Sequence, residues 1–242
     1  MYSTTNYFKW SRRFKYILNA VVVYTDSEKF ADLIKSVRST TSTRTKVILI
    51  ERNTSWSFKT RSRIAELLKQ FSDNINPDYV CAQLAKYDVM SRASKDNHFQ
   101  TEYFMWLDIG YFRSRRNMGD VIFKQPMNVE LSKIAVGLLS FSDKSTFTSP
   151  KVIFQNSVVW VDTGLVFGAR NVMLDFAEQF KASVFYFLSQ DLINTDRQVI
   201  LATFSDEGRQ ALKPKVELQL YKPFSENDRF YLGNIMMQEE AR

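Results

Sequence analysis

The sequence predicts one α/β domain organised on a mixed, mainly parallel central sheet. Three observations predict it. The first fifty residues alternate helical and strand patterns, the order that produces parallel βαβ units. The run Tyr103-Phe104-Met105-Trp106-Leu107 is so uniformly apolar that it must be a strand covered on both faces. The third is composition: 242 residues with 45% hydrophobic and 24% charged residues can bury a large core, and 7 Gly and 5 Pro leave little for a flexible linker. One domain over residues 1–242 follows.

Each element has its own signal. Tyr7 to Leu18 places Phe8, Trp10, Phe14, Ile17 and Leu18 at helical spacing with basic residues between, an amphipathic helix. Ala20 to Tyr24 is a β-branched run that breaks at Thr25-Asp26-Ser27, and Asp26 or Ser27 can cap a helix from Glu28 to Val37. Lys46 to Ile50 (KVILI) repeats the buried-strand pattern. Helical spacing returns at Phe58 to Phe71 and at Pro77 to Ala93. After the Tyr103 strand come expected strands at Ile134 to Phe141, Val152 to Phe154 and Val158 to Val161, the last leading into Asp162-Thr163-Gly164. Asn171 to Leu188 and Asp196 to Phe204 are expected helices, and Val216 to Tyr221 an edge strand.

Several function classes are excluded by residue counts. One cysteine, Cys81, and one histidine, His98, leave no disulfide and no His/Cys zinc cluster, so a metal must sit on carboxylates. The Asn53-Thr54-Ser55 sequon is of a kind that arises often by chance. GxxxxGK[ST], GxGxxG, GxSxG and HExxH are all absent, which removes P-loop, dinucleotide-binding, hydrolase-elbow and zincin readings. No apolar window approaches the roughly 18 residues of a membrane span. The net charge of +7 favours an anionic partner. Its basic residues, including Arg113, Arg115 and Arg116, are spread without a long run, so nucleic acid is not expected as the partner.

What remains is a set of acids at strand and helix ends: Asp108 after the Tyr103 strand, Asp162 before Gly164, and Asp196 at a helix start. Asp108 sits where open α/β sheets bind ligands, at the carboxyl edge. Each also has a plain structural role available, as a turn residue or helix cap.

Three segments in this order, EYFMWLDIGYFR (102–113), VDTGLVFGAR (161–170) and NTDRQVIL (194–201), resemble the HtrL/YibB family of glycosyltransferase-like proteins, as do the opening helix and VVVYTD strand. The resemblance spans most of the chain. It implies a GT-A-like three-layer fold of the nucleotide-diphospho-sugar transferase type, and transfer of a sugar from a nucleotide-sugar donor to a glycan or glycolipid acceptor. The alternative is a transferase-like domain without turnover that binds glycan or a partner protein.

Residue by residue, the resemblance implies Asp108 as ligand to a divalent cation, Mn²⁺ or Mg²⁺, that neutralises the departing diphosphate. It implies Asp196 and Gln198 as the catalytic acidic-Gln pair, Asp162 and Gly164 beside the transferred sugar or the acceptor, and Lys86 toward the nucleotide or its phosphates; Arg113, with Arg115 and Arg116 just after Asp108, offers guanidinium groups suited to phosphate oxygens. Departures accompany it: Gly110 replaces the second carboxylate of a DxD motif, Thr163 replaces the first glycine of a Gly-Gly pair, Ala169 stands where a second glycine is usual, and Arg197 interrupts the acidic-Gln pair. Such transferases open with a nucleotide-binding strand that this sequence lacks, so a truncated N-terminus is expected. A cytoplasmic location follows for the chain as given, and the secretory pathway if a leader precedes it.

Overall fold

The computed structural model describes residues 3–71, 75–115, 118–139, 149–224 and 228–239. Helix α1 (Thr4–Ser11) is capped by Ser3 and runs into a 3₁₀ turn over Arg12–Tyr16. Strand β1 (Val21–Thr25) leads to α2 (Glu28–Val37), whose N-cap Ser27 accepts from Phe30 N at 3.2 Å, and then to β2 (Thr45–Leu49). The expected Phe58–Phe71 helix is interrupted at Thr60, giving α3 (Trp56–Lys59) and α4 (Arg61–Phe71). Helix α5 (Pro77–Asp96) uses Asn76 as N-cap with Pro77 in its first turn and ends at Asn97 in the left-handed region, φ 40°. Then follow β3 (Tyr103–Leu107), β4 (Val121–Phe123), β5 (Ile134–Leu138), α6 (Pro150–Gln155), β6 (Val161–Ala169) and α7 (Arg170–Ser189). The chain continues through α8 (Asp196–Phe204), α9 (Asp206–Leu212), β7 (Leu218–Tyr221), α10 (Tyr231–Met236) and β8 (Met237–Glu239).

The main sheet has the order β3-β6-β5-β7, with β3 and β5 both antiparallel to β6 and β7 parallel to β5. Strands β1 and β2 form a separate parallel pair, and β4 pairs antiparallel with β8. The protein is thus mixed α/β, with β7 at a sheet edge as its sequence suggests. The expectation of a mainly parallel sheet is corrected. The βαβ rhythm on which it rested stops at Leu107, and between there and Ala169 no described helix exceeds the six residues of α6. The connections from β3 and from β5 to β6 are long enough for a crossover in either direction, so the antiparallel pairing is set by packing across the sheet and not by connection length.

A second correction concerns Val152 to Phe154, which is helical within α6. Pro150 opens that helix and suits a first helical turn, and three apolar residues are too few for periodicity to separate helix from strand. The strand expected at Val158 begins instead at Val161, and the opening helix ends before Leu18. Phe141, the expected end of the Ile134 strand, lies outside the described residues, as does Arg116.

Side chains on the sheet alternate between two cores. Ile134, Val136 and Val166, with Phe104 and Trp106 at the margin, pack against α4, α5, α7 and α8. Ala135, Leu165 and Phe167, flanked by Tyr103, Met105 and Leu107, pack against Ile17, Tyr111, Phe112, Val121, Phe123, Leu232 and Met236. That period of two is the pleat of strands buried on both faces.

Arg38, fully buried, ties the opening segment together. Its guanidinium donates to the carbonyls of Phe14 and Ile17 (2.7 Å each) and Asn19 (2.9 Å), and to Thr45 Oγ1 (2.8 Å). Burial lowers its pKa to about 10, so it stays charged at neutral pH. Arg38→Met leaves four acceptors without their donor and is expected to cost about 3 kcal/mol, read as a fall in the urea midpoint at unchanged m-value.

Candidate functional site

The register between β3 and β6 builds the site. Leu107 lies opposite Leu165, and the next residue, Asp108, donates its amide to the Gly164 carbonyl at 2.8 Å. Asp108 therefore leaves the end of β3 directly over Gly164. A methyl group at Gly164 would sit 3.1 Å from the Tyr111 ring, 3.3 Å from Asp108 Oδ2 and 3.4 Å from Asp162 Oδ1. Close approach, not backbone conformation, demands glycine there. The same distances bring an oxygen of Asp108 and one of Asp162 within 3.4 Å of one point above Gly164.

Each carboxylate has a partner. Asp108 Oδ1 accepts from the Trp106 indole Nε1 at 2.6 Å; residues two apart on a strand share a face, so the sequence carries that signal. Asp162 Oδ1 accepts from Gly164 N (3.2 Å) and from Arg197 Nη2 (3.0 Å). Asp196 Oδ2 meets Lys86 Nζ at 2.5 Å and accepts from the Tyr87 hydroxyl at 3.3 Å, with both members of the ion pair almost fully buried. Lys86 Nζ also donates to Thr163 O at 3.0 Å, joining α5 to β6 and to the start of α8.

Electrostatics separates the three acids. Part of Asp108 faces the cavity, yet desolvation by the surrounding protein raises its pKa; Lys86 and the Trp106 hydrogen bond oppose the rise, and Asp196 and Asp162 add to it. Tyr87 is pushed well above its usual value by burial and by Asp196. A carboxyl that resists ionisation beside two paired carboxylates is the type of environment found in functional sites.

Asp108, Asp162, Gly164, Asp196, Arg197 and Arg113 all line one cavity of about 1640 Å³. Arg113 donates to Gly110 O at 3.0 Å and lies 5.3 Å from the Phe230 ring centre. Two residues expected at the site are not among those that line the cavity. Lys86 is 3% exposed inside the protein, held by Asp196 instead of reaching outward. Gln198 donates to Val158 O (3.0 Å) and accepts from the Thr195 hydroxyl (2.6 Å), behind the cavity wall. Arg197 and Arg229, which sequence reasoning did not place at the site, stand on that wall. A first-turn position on α8 carries Arg197 past Asp162, which only the tertiary pairing reveals.

The residues do not form a protein-built cation site. Asp108 is a single carboxylate already accepting from Trp106, and among the described residues no group of three or more His, Cys, Asp or Glu stands where it could hold a metal ion. Among the described residues, too, no helix is long and apolar enough to cross a membrane.

Fold and site together define a mixed α/β protein with a large cavity at the carboxyl end of the edge strand β3, walled by three aspartates and several arginines. The chain belongs to the family described as bacterial protein of unknown function (HtrL_YibB), which it matches over residues 2–209. No curated protein matches it.

Two substitutions test the electrostatics. A carboxyl whose folded pKa is raised contributes stability fully only below its unfolded pKa and loses it as pH rises through the folded value. Asp108→Asn is therefore expected to unfold at a higher temperature than the parent protein at pH 7, the gap closing as pH falls toward the ordinary carboxylate range; equal melting at pH 7 would mean that burial does not penalise Asp108. Lys86→Met strands the Asp196 charge and is expected to cost about 3–5 kcal/mol in chemical denaturation. Adding Asp196→Asn to that variant should recover most of the loss.

Proposed function

We propose that this protein is a glycosyltransferase that moves a sugar from a nucleotide-diphosphate donor to a hydroxyl of a glycan or glycolipid acceptor, on a GT-A-like scaffold. The observation that carries the reading is the meeting of Asp108, Asp162 and Asp196 at the end of β3, on the wall of one large cavity that also presents Arg113, Arg197 and Arg229. Guanidinium groups suit the diphosphate, which gains negative charge as its bond to the sugar breaks. The carboxylates suit sugar hydroxyls.

In this reading the bond between the anomeric carbon and the diphosphate oxygen breaks while the acceptor oxygen bonds to that carbon. Asp108, whose proton affinity is raised, takes the acceptor's proton. Asp196 is fixed by Lys86 and Tyr87, which suits it to position Thr163 and the β6 backbone more than to exchange protons. Asp162 and Arg197 orient each other beside the sugar. Every step here is written on the chain's own side chains; a divalent cation brought in with the diphosphate would meet Asp108, the carboxylate at the end of β3.

One observation favours a second reading, a transferase-like domain that binds glycan or a partner protein without turnover. Asp162 and Asp196 are each engaged by a cation of the same chain, which leaves fewer groups for chemistry.

Thermal melting against UDP-, GDP- and CMP-sugars, with and without Mn²⁺, separates the two. A donor at a hundred times its Kd should stabilise the fold by about 2.7 kcal/mol, a rise in Tm of several degrees. Arg197→Ala should reduce that rise. A cooperatively folding protein that shifts with none of these donors, but does shift with an acceptor-type glycan, would replace the transferase reading with the binding one.

A further inference from the structure

Helix α5 presents uncharged polar groups to the cavity beside the row of aspartates. Tyr79 and Gln83 both line it, each partly buried, one helical turn apart. Residues four and seven apart share a helix face, so Tyr79, Gln83 and Lys86 stand in one line along α5. Helical side chains lean toward the N-terminus of their helix. The Lys86 ammonium and the Tyr87 hydroxyl both end on Asp196, which places that acid over the turns that carry Gln83 and Tyr79.

Charge locates the Tyr79 hydroxyl more closely. Burial, first, and then Asp196 raise its pKa; Arg197 and Lys86 oppose the rise, and Asp108 adds to it. Four charged groups of the site act on one phenol, which stays protonated at neutral pH and able to donate. Its ring also has a face to spare. Tyr87, Tyr103 and Tyr111 pack their rings against Phe180, Phe167 and Phe230. Among the described residues Tyr79 has no ring partner, and neither its hydroxyl nor the Gln83 carboxamide has a hydrogen-bond partner.

The cations of the wall gather elsewhere. Arg229 acts on Tyr111, and Arg113 lies over the Phe230 ring, which packs edge-on against Tyr111. The charges that act most strongly on Tyr79 include neither. One side of the wall, around Tyr111 and Phe230, is therefore cationic, and the α5 side is uncharged polar and aromatic up to the aspartates.

We propose that Tyr79 and Gln83 form a subsite for an uncharged pyranose ring, one face of the sugar lying on the Tyr79 ring and its hydroxyls meeting the Gln83 carboxamide, the Tyr79 hydroxyl and Asp108 Oδ2. The subsite rests on the reading of the cavity as a sugar site, and it serves transfer and binding without turnover alike. A pyranose has an apolar face of C–H groups ringed by hydroxyls that both donate and accept, and an aromatic ring beside a carboxamide and a carboxylate answers each part. Asp108 Oδ1 is taken by the Trp106 indole, which leaves Oδ2, the oxygen over Gly164, to accept from the sugar. A phosphate is disfavoured on this side, because Asp108 and Asp196 repel it across a desolvated wall. A nucleobase also stacks on an aromatic face, so the test sets it against the sugar.

The test is saturation-transfer NMR on the full chain with the methyl glycosides of glucose, galactose, mannose and N-acetylglucosamine, and with uridine, guanosine and cytidine for comparison. Irradiating the aromatic protons of the protein is expected to saturate the ring C–H protons of at least one glycoside. Tyr79→Ala should weaken that binding about fivefold through loss of the ring contact, and Gln83→Leu about threefold through loss of a hydrogen bond. Tyr79→Phe should keep the saturation of the ring protons while weakening affinity about threefold. Melting temperatures close to the parent's establish that each variant is folded; should Tyr79→Ala not fold, Gln83→Leu and Tyr79→Phe carry the comparison. A folded parent protein that saturates none of the glycosides would overturn the proposal. So would undiminished glycoside binding in the folded variants, and so would a nucleoside, in place of a glycoside, losing its saturation in them. Each of these results is compatible with a nucleotide-sugar raising the melting temperature, so the subsite and the transferase reading fail separately.

Discussion

The antiparallel register of β3 on β6 is the constraint on which the candidate site depends. Tyr103 opposite Ala169 and Leu107 opposite Leu165 set both the parity of every sheet side chain and the place where Asp108 emerges. A slip of one residue would send Phe104 and Trp106 to the wrong core and carry the Trp106 indole away from the helices that cover it. It would also separate Asp108 from Gly164, and with it the meeting of Asp108 and Asp162. The core and the cavity wall are therefore specified by one set of pairings.

The groups around that register are in mutual tension. Asp108 is desolvated near two other carboxylates, while Lys86, buried between α5 and β6, is the cation that keeps the cluster tolerable. Buried ion pairs contribute little net stability, but their directionality can select one arrangement of elements. Lys86 reaches Asp196 on α8 and Thr163 on β6 from α5, so it aligns three elements that apolar contacts alone would leave free to slide. Tyr87, stacked 3.5 Å from Phe180 of α7 between ring centres, extends that alignment to a fourth.

Much of this architecture was legible in the chain. Strand β3 was readable because five apolar residues in a row end at an aspartate, helix α8 because Thr195-Asp196 opens a helical pattern, and α2 because Ser27 stands where a cap belongs. Strand direction was not, since apolar runs carry no sign of orientation and the long helix expected between parallel strands is a property of the whole order of elements. The burial of Lys86 and Arg38 was equally hidden. A lysine or arginine on an amphipathic helix defaults to solvent, and only partners distant in sequence, Asp196 for one and the Phe14 to Asn19 carbonyls for the other, reverse that default. Asp108, Asp162 and Asp196 were foreseen as individual acids; that they share one wall depends on the fold.

The Arg38 guanidinium has a mechanical consequence. It clamps the 3₁₀ turn after α1, the approach to β1, the end of α2 and the start of β2 through four hydrogen bonds from one rigid planar group. Pulling any one of these strips away loosens its grip on the others. Residues 14–45 should therefore yield as a block under tension or during local opening, giving a protease one all-or-none point of entry in place of a graded series of fraying ends.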